Sequence, residues 1–139
     1  MITKLTARLA PRRVVHAHCD IPCGIYDPSE AQLAAQTVET MVTKIKALPD
    51  DNSEARRNSF VRMVTVKEQH AERVKHEVQV LWSDYFKPEH VEKFPELHDL
   101  VWKTLKAASA AKQNVDSEKA AELRSKVDEV ARIFWETKK

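Results

Sequence analysis

The sequence predicts an all-α protein, an antiparallel four-helix bundle behind a short N-terminal segment of different character. Four stretches repeat apolar residues at the spacing of one helix face. Short connections separate these stretches, which favours antiparallel neighbours. Glycine occurs once in 139 residues, and hydrophobic residues make up 42% and charged residues 32%. This composition is typical of a folded helical protein, and the length predicts one domain.

The first helix has a well-defined start in Asp27-Pro28-Ser29-Glu30. An acid at the N-cap, proline at the first helical position and glutamate at the third are each favourable there. The segment closes at residues 49–52, which contain proline and three turn-forming residues. The residues predicted to face inward are Leu33, Val38, Met41, Val42, Ile45 and Leu48.

The second helix is predicted from about Glu54 to Phe86, where Lys87-Pro88 ends it. A short helical turn follows over 89–93, and Pro95 is predicted to start the third helix. Asp116 or Ser117 caps the fourth. The predicted inward residues are Phe60, Val64, Val74, Val78, Leu81, Trp82 and Tyr85 in the second helix, Leu97, Leu100, Val101, Thr104, Leu105 and Ala108 in the third, and Ala121, Leu123, Val127, Val130 and Phe134 in the fourth.

Several classes of function are excluded or disfavoured by the sequence. No glutamate has a histidine three residues later, which excludes the di-iron site of many four-helix bundles. No run of about 18 apolar residues exists, so no membrane span is expected. His70, His76, His90 and His98 show no ligand spacing and are predicted to be surface or structural residues.

Residues 1–17 carry four basic residues and no acid. The rest of the chain has 19 Lys+Arg against 21 Asp+Glu, so removing this leader changes the formal charge from +2 to −2. The basic balance therefore predicts no nucleic-acid partner. The charges interrupt every candidate secretory apolar region, which leaves a cytoplasmic location by exclusion and an organelle transit peptide as the alternative.

Chemistry is concentrated in residues 18–26, His-Cys-Asp-Ile-Pro-Cys-Gly-Ile-Tyr, which hold both cysteines and the only glycine. Two thiolates and an imidazole are ligands that select copper, zinc or nickel. Pro22 and Gly24 favour a tight loop around Cys23. Without a secretory signal the thiols are expected to be reduced. The segment is therefore interpreted as a metal-binding hook.

A cut between Ala17 and His18 would add a free α-amine to this donor set. The amine, the Cys19 amide nitrogen and thiolate, and the Cys23 thiolate would then complete a square N2S2 plane, the geometry of Ni(II) or Cu(II). The His18 ring could take an axial position and support one-electron cycling. Uncut, the chain lacks the amine, so cleavage is predicted to be an activation step.

This hook resembles that of the nickel superoxide dismutase family. The resemblance continues through Asp27-Pro28, the string Leu-Trp-Ser-Asp-Tyr-Phe-Lys-Pro at 81–88 and the string Ile-Phe-Trp-Glu-Thr-Lys-Lys at 133–139, and so covers essentially everything after Ala17. It implies an unprocessed precursor with a leader at 1–17, a nickel hook at 18–26 and a four-helix bundle at 27–139. It also implies a homohexamer and a dedicated peptidase that cuts between Ala17 and His18.

By this resemblance, one nickel ion per subunit is held by His18, Cys19 and Cys23. Superoxide would reduce Ni(III) and release dioxygen, and a second superoxide would reoxidise Ni(II) and, with two protons, give hydrogen peroxide. Tyr26 matches the tyrosine that gates the open axial face, and Asp20 matches the acid that holds the loop. Tyr85 matches a body tyrosine near Tyr26, with Asp84 and Lys87 beside it, although a core tyrosine is the alternative for Tyr85.

The chain departs from the family pattern at two positions. A glutamate and an arginine that orient the axial imidazole correspond to Ala34 and His70 here. Our hypothesis is that His70, Glu39 or Glu30 supplies a substitute, or that the imidazole is held more loosely.

Two other functions are compatible with the residues. The main alternative is a non-catalytic nickel or copper carrier that uses the same hook. Tyr26 favours an enzyme over a carrier, because a carrier needs no hydroxyl to order a substrate. The other alternative is a helical interaction protein whose hook forms a disulfide.

Overall fold

The structure of the protein, a computed structural model, describes residues 24–139. Its helices are α1 (Ser29–Lys46), α2 (Glu54–Val80), α3 (Pro88–Lys93), α4 (Leu97–Gln113) and α5 (Ser117–Glu136). A single π-helical turn at Leu81–Tyr85 extends α2. The described part of the chain contains no β-strand, and none of its helices is long and apolar enough to cross a membrane.

The four long helices form a closed ring in which α1 and α4 each pack against both α2 and α5. Cross-helix contacts give their directions. Arg73 in the second half of α2 pairs with Glu30 in the first turn of α1 at 2.6 Å, and Lys46 in the last turn of α1 donates to Ser117 at the start of α5 at 2.9 Å. Neighbouring helices are therefore antiparallel, and the predicted four-helix bundle is confirmed.

Aspartate side chains accept hydrogen bonds from the first backbone amides of α1 and α5. The Asp27 carboxylate accepts a hydrogen bond from the Ser29 amide at 2.7 Å. Asp116 accepts from the amides of Glu118 at 2.8 Å and Lys119 at 3.1 Å, and the Lys119 bond is the main reason why the pKa of Asp116 is lowered. Asp116, not Ser117, is therefore the cap of α5.

The core contains most of the predicted inward residues, but some lie outside it. Leu33 is 62% exposed and Phe60 is 38% exposed. Small alanines fill the buried face of α1 near Leu33, which points away from it, and Ala120 is buried in place of the predicted Ala121. The core residues at most 1% exposed include Ala35, Val38, Val42, Val74, Val78, Leu81, Leu97, Leu123, Val127, Val130, Ile133 and Phe134.

Helix α4 ends beside a buried lysine of α2, and this explains why Phe60 is exposed. Lys67 is 1% exposed, and its ammonium donates to the carbonyl oxygens of Ala111 at 2.8 Å and Lys112 at 2.5 Å. These carbonyls belong to the last turn of α4 and have no partner within the helix. Because α4 ends beside Lys67, the first turns of α2 extend beyond α4, and Phe60 has no helix on that side to cover it.

Candidate active site

The described part of the hook begins at Gly24. The other hook residues of the sequence prediction, His18, Cys19, Asp20 and Cys23, lie outside the described residues. Gly24 has φ +71°, a conformation that side chains other than glycine rarely adopt. A Cβ atom at Gly24 would have no neighbour within 4 Å. Glycine is therefore required here by the backbone angle and not by lack of space.

We expect Gly24→Ala to weaken nickel binding about fivefold in a chain that begins at His18. The left-handed conformation costs an alanine roughly 1 kcal/mol, and the loop must adopt it next to Cys23. Gly24→Asn should lose less, because asparagine tolerates this region. Nickel competition against a chelator measures both. Equal affinities of the alanine and glycine proteins would show that the angle at Gly24 is unimportant for the metal.

Tyr26 and Tyr85 come together at the end of the bundle where the hook enters α1. Their ring centroids are 5.6 Å apart and the rings are tilted by 53°. Both side chains are partly buried against the core. Tyr85 belongs to the π turn, a feature often found at functional sites. The structure therefore places Tyr85 beside Tyr26, as the resemblance implied.

Residues from α3 and from the chain end surround Tyr85. The His90 ring stacks on it at 5.6 Å with an interplanar angle of 23°, and Phe134 lies 4.5 Å away. The Tyr85 hydroxyl lies 2.6 Å from the Thr137 hydroxyl, and the Lys138 ammonium lies 4.7 Å from the Tyr85 ring centroid. A cation over an aromatic face is an attractive contact.

These residues line an open cleft of about 460 Å³. Its walls carry both signs of charge, with two lysines opposing two carboxylates. Asp84 and Lys87, placed beside Tyr85 by the resemblance, are both part of it. The full lining is Gly24, Tyr26, Asp84, Tyr85, Lys87, Glu89, His90, Thr137 and Lys138.

The sequence prediction assigns no site role to four of these residues, Glu89, His90, Thr137 and Lys138. His90 was interpreted as a surface or structural residue, although its ring lies on Tyr85 and its Nδ1 accepts from the Lys87 amide at 3.1 Å. Thr137 and Lys138 received no role. The available signal was topological: α2 and α5 run in the same direction, so the residues after α5 reach the end of the bundle where Tyr85 lies.

The two positions that depart from the family pattern lie on the helices that face each other. Ala34 is buried in α1. The Nδ1 atom of His70 lies 2.8 Å from the Val66 carbonyl, which can only accept, so Nδ1 is the donor of this hydrogen bond. Of the suggested carboxylates, Glu30 binds Arg73 of α2, whereas Glu39 lies 3.9 Å from Arg124 of α5. Glu30 is therefore the better placed of the two relative to α2.

No group of three or more His, Cys, Asp or Glu side chains within residues 24–139 could hold a metal ion. Residues 18–23, which lie outside the described part of the chain, contain two thiols and an imidazole. This donor set suits nickel, copper or zinc and is unsuited to magnesium or calcium.

Comparisons with known proteins show which family the chain resembles over its length. The family model described as nickel-containing superoxide dismutase matches residues 13–138. A protein named superoxide dismutase [Ni] from Streptomyces coelicolor is 46% identical over 135 residues, which cover 97% of this chain and 98% of the relative. The protein of the same name from Streptomyces seoulensis is 44% identical with the same coverage.

Solved structures give the same result. The native structure of a nickel superoxide dismutase at 1.30 Å has a TM-score of 0.79 and 48% identity, and the match covers 88% of this chain and 100% of that chain. A nickel-containing superoxide dismutase in its oxidised ligation state has a TM-score of 0.78 and 45% identity, with 87% and 98% covered. The chain belongs to the nickel-containing superoxide dismutase family.

Proposed function

We propose that this chain disproportionates superoxide to dioxygen and hydrogen peroxide at a hook formed by His18, Cys19 and Cys23 after cleavage behind Ala17. As a member of its family the protein is an oxidoreductase that acts on superoxide and uses nickel. The observation that carries the proposed site is that Cys23 directly precedes Gly24 in the sequence, and Gly24 lines the cleft.

Three residues of the proposed hook would supply nitrogen and sulfur donors to the metal. His18 would offer its α-amine and its ring, Cys19 its amide nitrogen and thiolate, and Cys23 a second thiolate. Nickel held by such a set supplies a centre that gives or takes one electron in each half of the reaction. Asp20 would hold the loop by hydrogen bonds.

The cleft places two ammonium groups, those of Lys87 and Lys138, where Tyr26 and Tyr85 meet. Asp84 and Glu89 line the same cleft and balance this charge, so a small anion such as superoxide would be attracted by a single ammonium group and not by a net positive charge of the cleft. Tyr26 would order the anion or a water molecule near the hook, and Tyr85 would support Tyr26 from the body of the bundle.

The proposal includes processing, assembly and location. A peptidase would remove residues 1–17, the mature chain would form a homohexamer with one nickel ion per subunit, and the protein would work in the cytoplasm. The large apolar side chains that the single chain leaves exposed are the ones that we expect subunit contacts to cover. Leu33 is 62% exposed, Trp102 54% and Trp135 48%.

A non-catalytic metal carrier is the alternative function. The names of the relatives of this chain, which are those of an enzyme, do not favour a carrier. The deciding experiment is electron paramagnetic resonance of nickel-loaded protein that begins at His18, compared with the full chain. We expect a rhombic Ni(III) signal with coupling to one axial nitrogen only in the cut protein. A chain that begins at Ala17 is the matched control, because its α-amine is displaced by one residue. Bound nickel with a silent spectrum in the cut protein would favour the carrier.

A further inference from the structure

We infer that Thr137 is a positioning residue: its hydroxyl accepts a hydrogen bond from the Tyr85 hydroxyl. Toward the cleft, the Tyr85 oxygen can then act only as a hydrogen-bond acceptor. The inference deepens the proposed function, on which its relevance to turnover rests. It concerns the C-cap residue of α5, to which neither the sequence prediction nor the family resemblance assigns a role.

The direction of the hydrogen bond follows from a count of protons. The Thr137 hydroxyl lies 2.6 Å from the Phe134 carbonyl oxygen and 2.6 Å from the Tyr85 hydroxyl. A hydroxyl has one proton, and a carbonyl oxygen can only accept. Thr137 therefore donates to Phe134, and the proton shared between Thr137 and Tyr85 must come from Tyr85.

The surroundings of Tyr85 keep the ring in the orientation that this bond needs. Phe134 packs on the ring at 4.5 Å and His90 stacks on it at 5.6 Å. The Lys138 ammonium, next in sequence to Thr137, lies over the same ring at 4.7 Å. Thr137, the C-cap of α5, and Lys138 after it thus contact the hydroxyl and the ring of Tyr85.

The chemical consequence concerns which groups can contact an anion in the cleft. While Tyr85 donates to Thr137, it has no proton for superoxide, and its remaining lone pair can only accept. Tyr85 then orders a donor such as water, and the proton given to a bound anion comes from that water or from the Tyr26 hydroxyl. Without the Thr137 hydroxyl, the Tyr85 hydroxyl could donate its hydrogen bond into the cleft instead of accepting one there.

The chain offers a direct spectroscopic test, because it contains only two tyrosines. In a Tyr26→Phe protein Tyr85 is the sole tyrosine, and the intensity ratio of its Raman Fermi doublet reports whether the hydroxyl donates or accepts. We expect a donor ratio in this protein, the same ratio after adding Thr137→Ser, and a shifted ratio after adding Thr137→Val. An unchanged ratio with valine, or an acceptor ratio in the starting protein, would overturn the inference.

Kinetics with Tyr26 intact supply the second readout. We expect Thr137→Val to lower kcat about three- to tenfold, which corresponds to one hydrogen bond, while KM changes little, and Thr137→Ser to restore most of the loss. A shifted Raman ratio without loss of kcat would overturn the positioning role. The Raman measurement needs neither nickel nor turnover, so its result is independent of whether the proposed function holds.

Discussion

The Cys23→Ser protein, cut to begin at His18, is expected to have a superoxide dismutase activity more than about 100-fold lower than that of the parent protein cut in the same way. Changing a residue that only supports a metal ligand already costs 10- to about 100-fold, and this change removes a proposed ligand. A serine hydroxyl remains protonated at neutral pH and is a much poorer donor to nickel than a thiolate. Activity per chain and bound nickel per chain, measured together, test this result.

The two single variants and the double variant form a matched set. If both sulfurs act as one ligand unit, Cys19→Ser, Cys23→Ser and the double variant should be equally inactive, because losses within a functional unit do not add. The thermal unfolding of the metal-free chains should be unchanged, since the core lies in the helices. Near-parental activity and nickel content in Cys23→Ser would remove Cys23 from the ligand set.

The candidate site was predictable where its information is local in sequence. Both thiols, the imidazole and Tyr26 lie within residues 18–26, so the residue types suggest a ligand set there and the family resemblance implies the role of Tyr26. Thr137 and Lys138 are more than fifty residues from Tyr85, and their contact exists only because α2 and α5 end at the same end of the bundle. Contacts between residues so far apart in sequence result from helix packing, and no periodic pattern in the sequence indicates them.

The sequence predicts the helices and their order well. It predicts less well which residues of each helix face the core. The Asp27 start and the end near Phe86 were read from caps and prolines, whose effect is local. The prediction that Leu33 lies in the core is wrong, because the buried positions around it hold alanine and Leu33 itself is exposed. Only the packing partner decides whether a leucine or an alanine fits at a helix contact.

Lys67 had a sequence signal that was missed. It lies three residues after Val64, four before Ala71 and seven before Val74, and therefore on the core-facing stripe of α2. A lysine in such a position is expected to be paired or bonded, because a buried charge without partners is very costly. What pairs with it, the end of α4, could not be identified before the helix packing was known.

Replacing Lys67 with alanine is expected to lower the free energy of unfolding by about 3–5 kcal/mol, through a cavity and two unsatisfied carbonyls at the end of α4. Lys67→Met keeps most of the volume and loses only the N–H donors, so about 2 kcal/mol is expected. Lys112→Ala is the control, since Lys112 forms an ion pair with Glu72 at the surface, and it should lose much less. Urea denaturation at one protein concentration measures all three, and equal losses for Lys67 and Lys112 would contradict the capping role.

The pH dependence separates the hydrogen bonds of Lys67 from its charge. Burial lowers the pKa of Lys67 below the ordinary value of 10.5, and Glu68 opposes this only in part. Between the lowered pKa and 10.5 the unfolded chain binds more protons than the folded one, so stability from this residue rises with pH in that window. The neutral amine still has two N–H groups for the two carbonyls. The stability difference between the parent and Lys67→Met should therefore widen as the pH rises from neutrality toward 10.5. A difference that narrows instead would mean that the attraction of the ammonium to the C-terminal end of α4 outweighs its desolvation.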